Sequence, residues 1–158
     1  MSNLQAFFAQ NIEKVGIEKI EVSKRFKEPV LDENGEQVFD ENGKPVMQVI
    51  KWHFGAIDGE QDTANRKACT KRMPVPGKKG MFMPETDFDQ YTLKNAVSTI
   101  KFPNLHDAEL QKSYGVNGAE NLLQKMLLPG ELTEVKKITQ EVNGFNIGMD
   151  ELVEEAKN

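Results

Sequence analysis

The 158-residue chain has few of the residues that carry thiol or metal chemistry, with one cysteine, Cys69, and two histidines, His53 and His106. A single cysteine cannot form an internal disulfide, so the fold does not depend on oxidation. Zinc sites need about four Cys or His ligands in close pairs, and these three residues are far apart in sequence. No flanking motif supports a Cys–His nucleophile pair either. We therefore assign no catalytic residue, no metal and no cofactor, and expect a non-enzymatic protein.

Long apolar runs and targeting features are also lacking. No stretch of 18 apolar residues occurs, which argues against a membrane-spanning helix. Residues 1–11 lack the basic and apolar regions of a secretory signal. The basic run at 76–80 does not have the glycine-to-lysine spacing of a phosphate-binding loop. These absences favour a soluble, cytoplasmic protein without a membrane partner.

The first third of the chain carries strand patterns interrupted by turns. Alternating apolar residues predict two longer strands over 17–28 and 46–57. Between them the sequence Asp-Glu-Asn-Gly occurs at 32–35 and again at 40–43, and each Asn-Gly pair predicts a type I′ turn. The repeated acids do not fit a calcium-binding EF-hand loop, because the glycine falls at the fourth position of the motif instead of the sixth.

Helical patterns dominate the remainder of the chain. A short helix is predicted over 3–10, and we expect it to cover the core. One longer helix starts at a Thr86–Asp89 capping pair and carries Leu93–Ile100. The other predicted helices are residues 58–69, 106–114 and 118–128, the stripe Leu132–Val142 and a last helix over Met149–Ala156. Strands first and helices later predict an α+β fold, with a small N-terminal antiparallel sheet followed by a lobe of several short helices. We expect one domain over 1–158, with the helix and hairpin region at 1–57 and the helical lobe at 58–158.

A basic segment stands out in a chain whose net charge is −5, since residues 61–80 hold six bases and one acid. Prolines and glycines predict an irregular loop at about 70–86. Alternating basic and flexible apolar residues are typical of contact with an acidic amphipathic helix or with RNA, and an ordinary solvated loop is the alternative. The overall acidity disfavours nucleic acid. The candidate contact residues of this loop are Lys71, Arg72, Met73, Lys78, Lys79, Met81, Phe82 and Met83.

The most apolar predicted helix, residues 118–128, gives a second set of candidate contacts. Its leucines Leu123, Leu127 and Leu128 form an apolar stripe that suits a protein partner. Burial of the same stripe in the core is the favoured alternative, because helices of globular domains normally turn such a face inward.

Several motifs resemble, in order and spacing, the XkdN-like tail assembly chaperones of phages and phage-like elements in Gram-positive bacteria. The resemblance covers the whole chain and is most specific over residues 66–158. The motifs that carry it are Cys69–Gly80, Pro84–Asp87, Phe102–Leu105, Asp107–Gln111, Ser113–Gly115, Gly118–Glu120, Lys125–Glu131, Asn143–Phe145 and Glu151–Asn158.

The resemblance implies an assembly factor that binds the tape measure protein and keeps it soluble in the host bacterial cytoplasm while the tail tube assembles. Contact with the tail tube protein and self-association stay open. A tape measure protein exposes apolar helical stripes, and adaptable methionine and leucine surfaces suit many similar stripes. The sequence leaves two other functions open: a small nucleic-acid-binding regulator that uses the basic loop, and a structural component of the tail.

Overall fold

The computed structural model describes residues 3–145. The last predicted helix, Met149–Ala156, lies outside these residues. After a short 3-10 helix at Asn3–Phe7, the elements in chain order are β1 (Glu18–Ile20), β2 (Lys27–Pro29), β3 (Met47–Val49), β4 (Trp52–Phe54), α1 (Gly59–Ala68), β5 (Thr70–Pro74), β6 (Phe82–Thr86), α2 (Phe88–Thr99), β7 (Ile100–Phe102), α3 (Ala108–Ser113), α4 (Ala119–Met126) and α5 (Pro129–Val142). Antiparallel strands concentrated in the N-terminal half and helices in the C-terminal part confirm the α+β fold.

The two longer predicted strands are each divided in the structure. β1 pairs with β4 and β2 pairs with β3, both antiparallel, and β7 joins β4 to complete a three-stranded sheet in the order β1-β4-β7. The division follows from a local turn between β1 and β2, where the backbone N–H of Arg25 donates to the buried Ser23 hydroxyl at 3.2 Å. The next residue, Phe26, packs on Trp52 with ring centroids 5.7 Å apart.

The repeated Asp-Glu-Asn-Gly segments form turns of a different type from the one predicted. Only glycines have positive φ among the described residues, so neither asparagine adopts the conformation of a type I′ turn. In each segment the glycine N–H donates to the aspartate carbonyl at 3.0 Å, as in a type I turn that ends at Gly35 or Gly43. The Asp32 and Asp40 carboxylates each accept two further backbone N–H bonds at 2.9 Å, which favours this turn over the type I′ alternative.

The core forms where the three-stranded sheet meets α2, α4 and α5. Its fully buried side chains include Trp52 and Phe54 from β4 and Leu93 from α2, together with Leu122 and Val135. The predicted helical stripes are therefore confirmed for α2 and α5. Helix α4 adds Ala119, Leu122, Leu123 and Met126 to the helical side of the core.

Two predictions at helix starts are wrong. The 3-10 helix at Asn3–Phe7 has no buried residue and does not cover the core, since Phe7 is 76% exposed and the following Phe8 is 43% exposed. Helix α2 takes Asp87 as its N-cap, one residue after the predicted Thr86, and the Asp87 carboxylate accepts the Gln90 N–H at 3.1 Å. Thr86 instead ends β6.

Candidate partner-binding site

The basic segment predicted as an irregular loop is a β-hairpin. Strands β5 and β6 pair over five positions, from Thr70 opposite Thr86 to Pro74 opposite Phe82. Val75 and Met81 continue the ladder, with the Val75 N–H donating to the Met81 carbonyl at 3.0 Å. The predicted irregular loop is wrong because prolines and glycines that exclude a helix are compatible with a strand pair when their positions in the register suit it.

The register explains why both prolines are tolerated. In an antiparallel pair, hydrogen-bonded and non-hydrogen-bonded positions alternate. Since Val75 and Met81 form a hydrogen-bonded position, the neighbouring pair of Pro74 and Phe82 does not, and Pro84 falls on the same alternation. A two-stranded hairpin has outward-facing N–H groups at those positions, so proline removes no ladder bond there.

Two consecutive turns form the tip of the hairpin, Val75–Lys78 and Lys78–Met81, closed by backbone bonds of 3.2 and 3.4 Å. Gly77 and Gly80 occupy the third position of each turn with φ of +77° and +78°, the conformation that a type II turn requires there. The tip thereby presents Lys78 and Lys79, both exposed, to solvent.

The alternation of the two strands sorts the candidate contacts onto opposite faces. One face, which we name the methionine face, consists of Lys71, Met73, Val75, Met81, Met83 and Glu85. The opposite face carries Arg72 and Phe82, whose cation–ring distance is 5.8 Å, so the structure separates Phe82 from the methionines. Met73 and Met83 lie directly opposite each other, and the side chains of Met73, Met81 and Met83 are 42%, 53% and 54% exposed.

An open groove of about 540 Å³ continues the methionine face toward the helices. Lys71, Met73 and Glu85 form its hairpin side, and Phe88 and Lys94 of α2 are among the residues on its other side. Phe88 is 67% exposed although it is aromatic. Sequence reasoning missed Phe88 and Glu85, and the available signal was an apolar residue at the first helical position, outside the buried stripe of α2.

A polar network between α1 and α2 holds the base of the hairpin. The hairpin leaves α1 at Cys69 and enters α2 at Asp87, so its orientation depends on how these helices pack. The amide of Asn65 donates to Asn95 at 2.8 Å and to Ser98 at 3.1 Å. Asn95 in turn donates to the Asp62 carboxylate at 2.8 Å. Buried amides with all partners in place fix one arrangement of the helices.

Tyr91 completes this network by donating its hydroxyl to the Asp62 carboxylate. That hydrogen bond is the main cause of a pKa of Asp62 below its ordinary value, and it also raises the pKa of Tyr91. Both shifts stabilise the pair of an ionised carboxylate and a neutral phenol, so the network persists across neutral pH.

The leucines of the second predicted contact set lie in different environments. Leu123 is fully buried in α4 and Leu127 is 6% exposed, so both belong to the core, which was the alternative favoured by the sequence. Leu128 follows α4 and is 56% exposed. Among these three leucines, only Leu128 has a side chain exposed to solvent.

The residues considered for chemistry do not come together. Cys69 is buried at the end of α1, and burial is the main cause of a raised pKa of its thiol, which favours the protonated form. His53 lies in β4, where its ring stacks against Phe102 at 5.0 Å. Within residues 3–145, no group of three or more His, Cys, Asp or Glu side chains has the arrangement of a metal site. No helix in the same range is long and apolar enough to cross a membrane.

The sequence matches the family described as "Phage XkdN-like tail assembly chaperone protein, TAC" over residues 4–157. The chain belongs to this family of phage tail assembly chaperones. The match covers the hairpin, the groove and the core together. It confirms the resemblance seen in the motifs, and it gives this chaperone partners among phage tail proteins.

One solved structure, described as the crystal structure of the protein YqbN, has a similar fold. The comparison gives a TM-score of 0.67 at 20% sequence identity, and it covers 91% of this chain and 98% of that one. At this identity the likeness concerns the fold alone. No match was found among curated proteins.

Proposed function

We propose that this tail assembly chaperone binds the tape measure protein through its methionine face and the adjoining groove, and keeps that protein soluble while the tail tube assembles. The observation that carries the proposal is the exposure of three methionines on one side of a hairpin whose base is held by the α1–α2 network. The binding is non-enzymatic and takes place in the host cytoplasm.

The chemistry of the methionine face suits an apolar helical client. Methionine side chains are unbranched and polarisable, so they adapt to different apolar stripes without a fixed shape. Near the methionines, Lys71, Lys78 and Lys79 outnumber Glu85, the one acid of the methionine face, and this charge balance favours a client whose apolar stripe is bordered by acids. The single aromatic residue of the hairpin, Phe82, lies on the other face beneath Arg72, so the methionine face has no aromatic ring on which bases could stack.

The exposed fractions of the three methionines set the free energy that they can contribute to client binding. Full burial of one methionine side chain stabilises a complex by about 1.5–3 kcal/mol, and roughly half of each side chain remains to be buried. Met73, Met81 and Met83 together then supply roughly 2–4 kcal/mol, which corresponds to about 30- to 1000-fold in Kd.

The test is co-expression with the tape measure protein encoded in the same tail gene cluster. We expect the chaperone to raise the soluble fraction of that protein and to co-purify with it. The triple variant Met73→Ser, Met81→Ser, Met83→Ser should lose both effects. Met47→Ser is the matched control, because Met47 is 46% exposed but lies in β3, outside the hairpin.

Two results would contradict the proposal. A tape measure protein that stays insoluble with the wild-type chaperone would exclude it as a client. Equal losses in the triple variant and in Met47→Ser would exclude the methionine face as the binding surface. Persistence of the chaperone in purified tails would instead favour a structural component.

A further inference from the structure

A second exposed surface lies in the segment that contains the repeated turns. Residues 27–49, which we name the acidic arm, hold six acids and two bases. The sequence of the arm repeats every eight residues, since valine occurs at positions 30, 38 and 46. An apolar residue follows each valine, and we name these three residues, Leu31, Phe39 and Met47, the apolar triad. The arm therefore consists of three similar segments joined by the two Asp-Glu-Asn-Gly turns.

The three segments pair with one another in a closed ring. The backbone N–H of Val30 donates to the Val46 carbonyl at 2.8 Å, and that of Val46 donates to the Val38 carbonyl at 2.8 Å. The N–H of Val38 donates to the Val30 carbonyl at 3.1 Å and closes the ring. Antiparallel pairs follow the same order and join Leu31 to Gln37, Phe39 to Pro45 and Met47 to Pro29. The three members of the apolar triad thus occupy equivalent positions of one ring.

The apolar triad is exposed and has acids beside it. Leu31 and Phe39 are each 57% exposed, and Met47 is 46% exposed, whereas the three valines of the ring are partly buried. An Asp-Glu pair directly follows two members of the triad, at positions 32–33 and 40–41. The arm therefore presents exposed apolar side chains bordered by acids.

The acidic arm and the methionine face are complementary. The hairpin residues Thr70–Thr86 hold four bases and one acid, so the two surfaces have opposite charge. Each surface also contains three apolar side chains that are about half exposed. Because both sets stay exposed in the folded chain, the arm of one chain does not cover the methionines of that same chain. The partner with matching chemistry is the arm of another copy.

Contacts at the base of each surface hold it in place before any partner binds. Just before the arm, the Arg25 guanidinium donates to the Met126 carbonyl at 3.0 Å and pairs with Glu131. The α1–α2 network holds the base of the hairpin in the same way. Preorganised surfaces lose less conformational entropy on association, so a small contact area can suffice.

We propose that the acidic arm of one copy docks on the methionine face of a second copy of this chain. The apolar triad packs against the methionines, and the acids of the two turns face the lysines at the tip of the hairpin. Each copy has one arm and one hairpin, so copies join reciprocally in a pair or head to tail in a longer assembly. Two patches of this size form a contact at the weak end of specific interfaces, so association depends on concentration.

Docking of the arm regulates the site of the proposed function, since a client must displace the arm to reach the methionines. This competition rests on the proposed function, whereas the contact between copies does not. The test uses the chaperone without a client, so failure of one proposal is distinguishable from failure of the other. Met47→Ser changes the arm and leaves the hairpin intact, so it remains a control for client binding.

Sedimentation equilibrium measures the average mass of the 17.8 kDa chain between about 1 μM and about 1 mM. We expect the mass to rise with concentration. Replacing two members of the apolar triad, L31S with F39S, should raise the Kd of self-association at least about tenfold. The charge reversals E33K with E41K on the arm, and K78E with K79E on the hairpin, should each do the same, because like charges then face each other.

Mixing the two charge variants separates a specific contact from a general effect of charge. Neither variant alone should associate as the wild type does, whereas the mixture should, because each arm then meets a hairpin of opposite charge. Each reversal shifts the net charge of −5 by four, so both variants stay acidic overall and do not attract each other through net charge. The turns of the arm should persist, since the Asp32 and Asp40 carboxylates hold them.

The control variant E134K with E141K changes the net charge by the same amount at two exposed positions of α5, and it should associate as the wild type does. The emission of the buried Trp52 reports that each variant is folded. A mass of 17.8 kDa for the wild type at every concentration would overturn the proposal. So would wild-type association of either charge variant alone, or a mixture of the two folded variants that stays monomeric.

Discussion

Replacing Leu123 and Leu128 one at a time tests the division of the apolar helix into core and surface. Both leucines were candidate partner contacts in the sequence, and they lie only five residues apart. The structure buries Leu123 fully and leaves Leu128 56% exposed. Truncation to alanine removes the same atoms at both positions, so any difference in unfolding free energy reports the environment alone.

The two substitutions should lower the free energy of unfolding by clearly different amounts. Leu123→Ala removes buried methyl groups from the core cluster that also contains Leu122 and Val135, and it leaves a cavity, which lowers the free energy of unfolding by about 2–5 kcal/mol. For a chain of this size that corresponds to a fall in Tm of roughly 4–20 °C. Leu128→Ala should change the free energy of unfolding by no more than about 0.5 kcal/mol, because it vacates mostly solvent-exposed space.

Urea titration followed by tryptophan fluorescence measures both values. Trp52 is the single tryptophan and is 1% exposed in the core, so its emission reports loss of the packed interior. The midpoint of the Leu123→Ala transition should fall with an unchanged slope. Comparable destabilisation by the two variants, or a neutral Leu123→Ala, would refute the assigned positions of α4 and the segment that follows it.

Three further measurements test the α1–α2 network, the Arg25–Glu131 pair and the burial of Cys69. Asp62→Asn removes the charged acceptor of Tyr91 and Asn95 and should lower the free energy of unfolding by roughly 1–2 kcal/mol in urea titration, and a neutral result would contradict the network. The pKa of Glu131 is lowered to about 2, mainly by its hydrogen bond from Arg25. The stabilisation by the Arg25–Glu131 pair is present above the ordinary pKa of 4.5 and is lost as the pH falls toward 2. Glu131→Gln should therefore weaken the dependence of the unfolding free energy on pH in this acid range. An unchanged pH dependence would contradict the pair. Labelling of Cys69 by a thiol reagent should be at least about tenfold slower in the folded protein than in urea, whereas equal rates would contradict its burial.

The helices were predictable because their signals are local. An apolar stripe with a period of 3.6 residues marks the buried side of a helix wherever that helix packs, and the stripes of α2 and α5 follow this rule. The turn at Gly115, with φ of +68°, likewise ends the region of α3 as the sequence indicates. Boundaries were less accurate, since a cap depends on which single oxygen reaches a free N–H, as Asp87 does for α2.

The hairpin could not be predicted by the same reasoning. Whether proline is tolerated in β5 and β6 depends on which positions pair across the hairpin, and that register is set by two turns at the tip. A residue-by-residue reading counts Pro74 and Pro84 against a strand, although the alternation places both where no N–H is required. β7 was missed for a related reason, because its partner β4 lies more than forty residues away in sequence.

The groove could not be predicted from the sequence either. It combines a strand pair with the first turn of α2, and the two meet only because the α1–α2 network orients the base of the hairpin. Composition could indicate that methionines and lysines cluster between 70 and 86, but not that Phe88 faces the same space. Contacts between separate elements depend on packing, which the sequence pattern does not contain.

The register of the hairpin also explains why the length of its tip matters for binding. The seven residues from Val75 to Met81 form two turns, and these turns make Val75 and Met81 a hydrogen-bonded pair. This register places Met73, Met81 and Met83 on one face. A shift of the strand pairing by one residue would move Met81 and Met83 to the face on which Phe82 now lies, since side chains alternate with a period of two. An insertion of one alanine between Lys78 and Lys79 should therefore separate Met73 from the other two methionines. Because the core lies elsewhere, such a variant should keep its stability and lose the client, and unimpaired client binding would show that the methionines act without a common face.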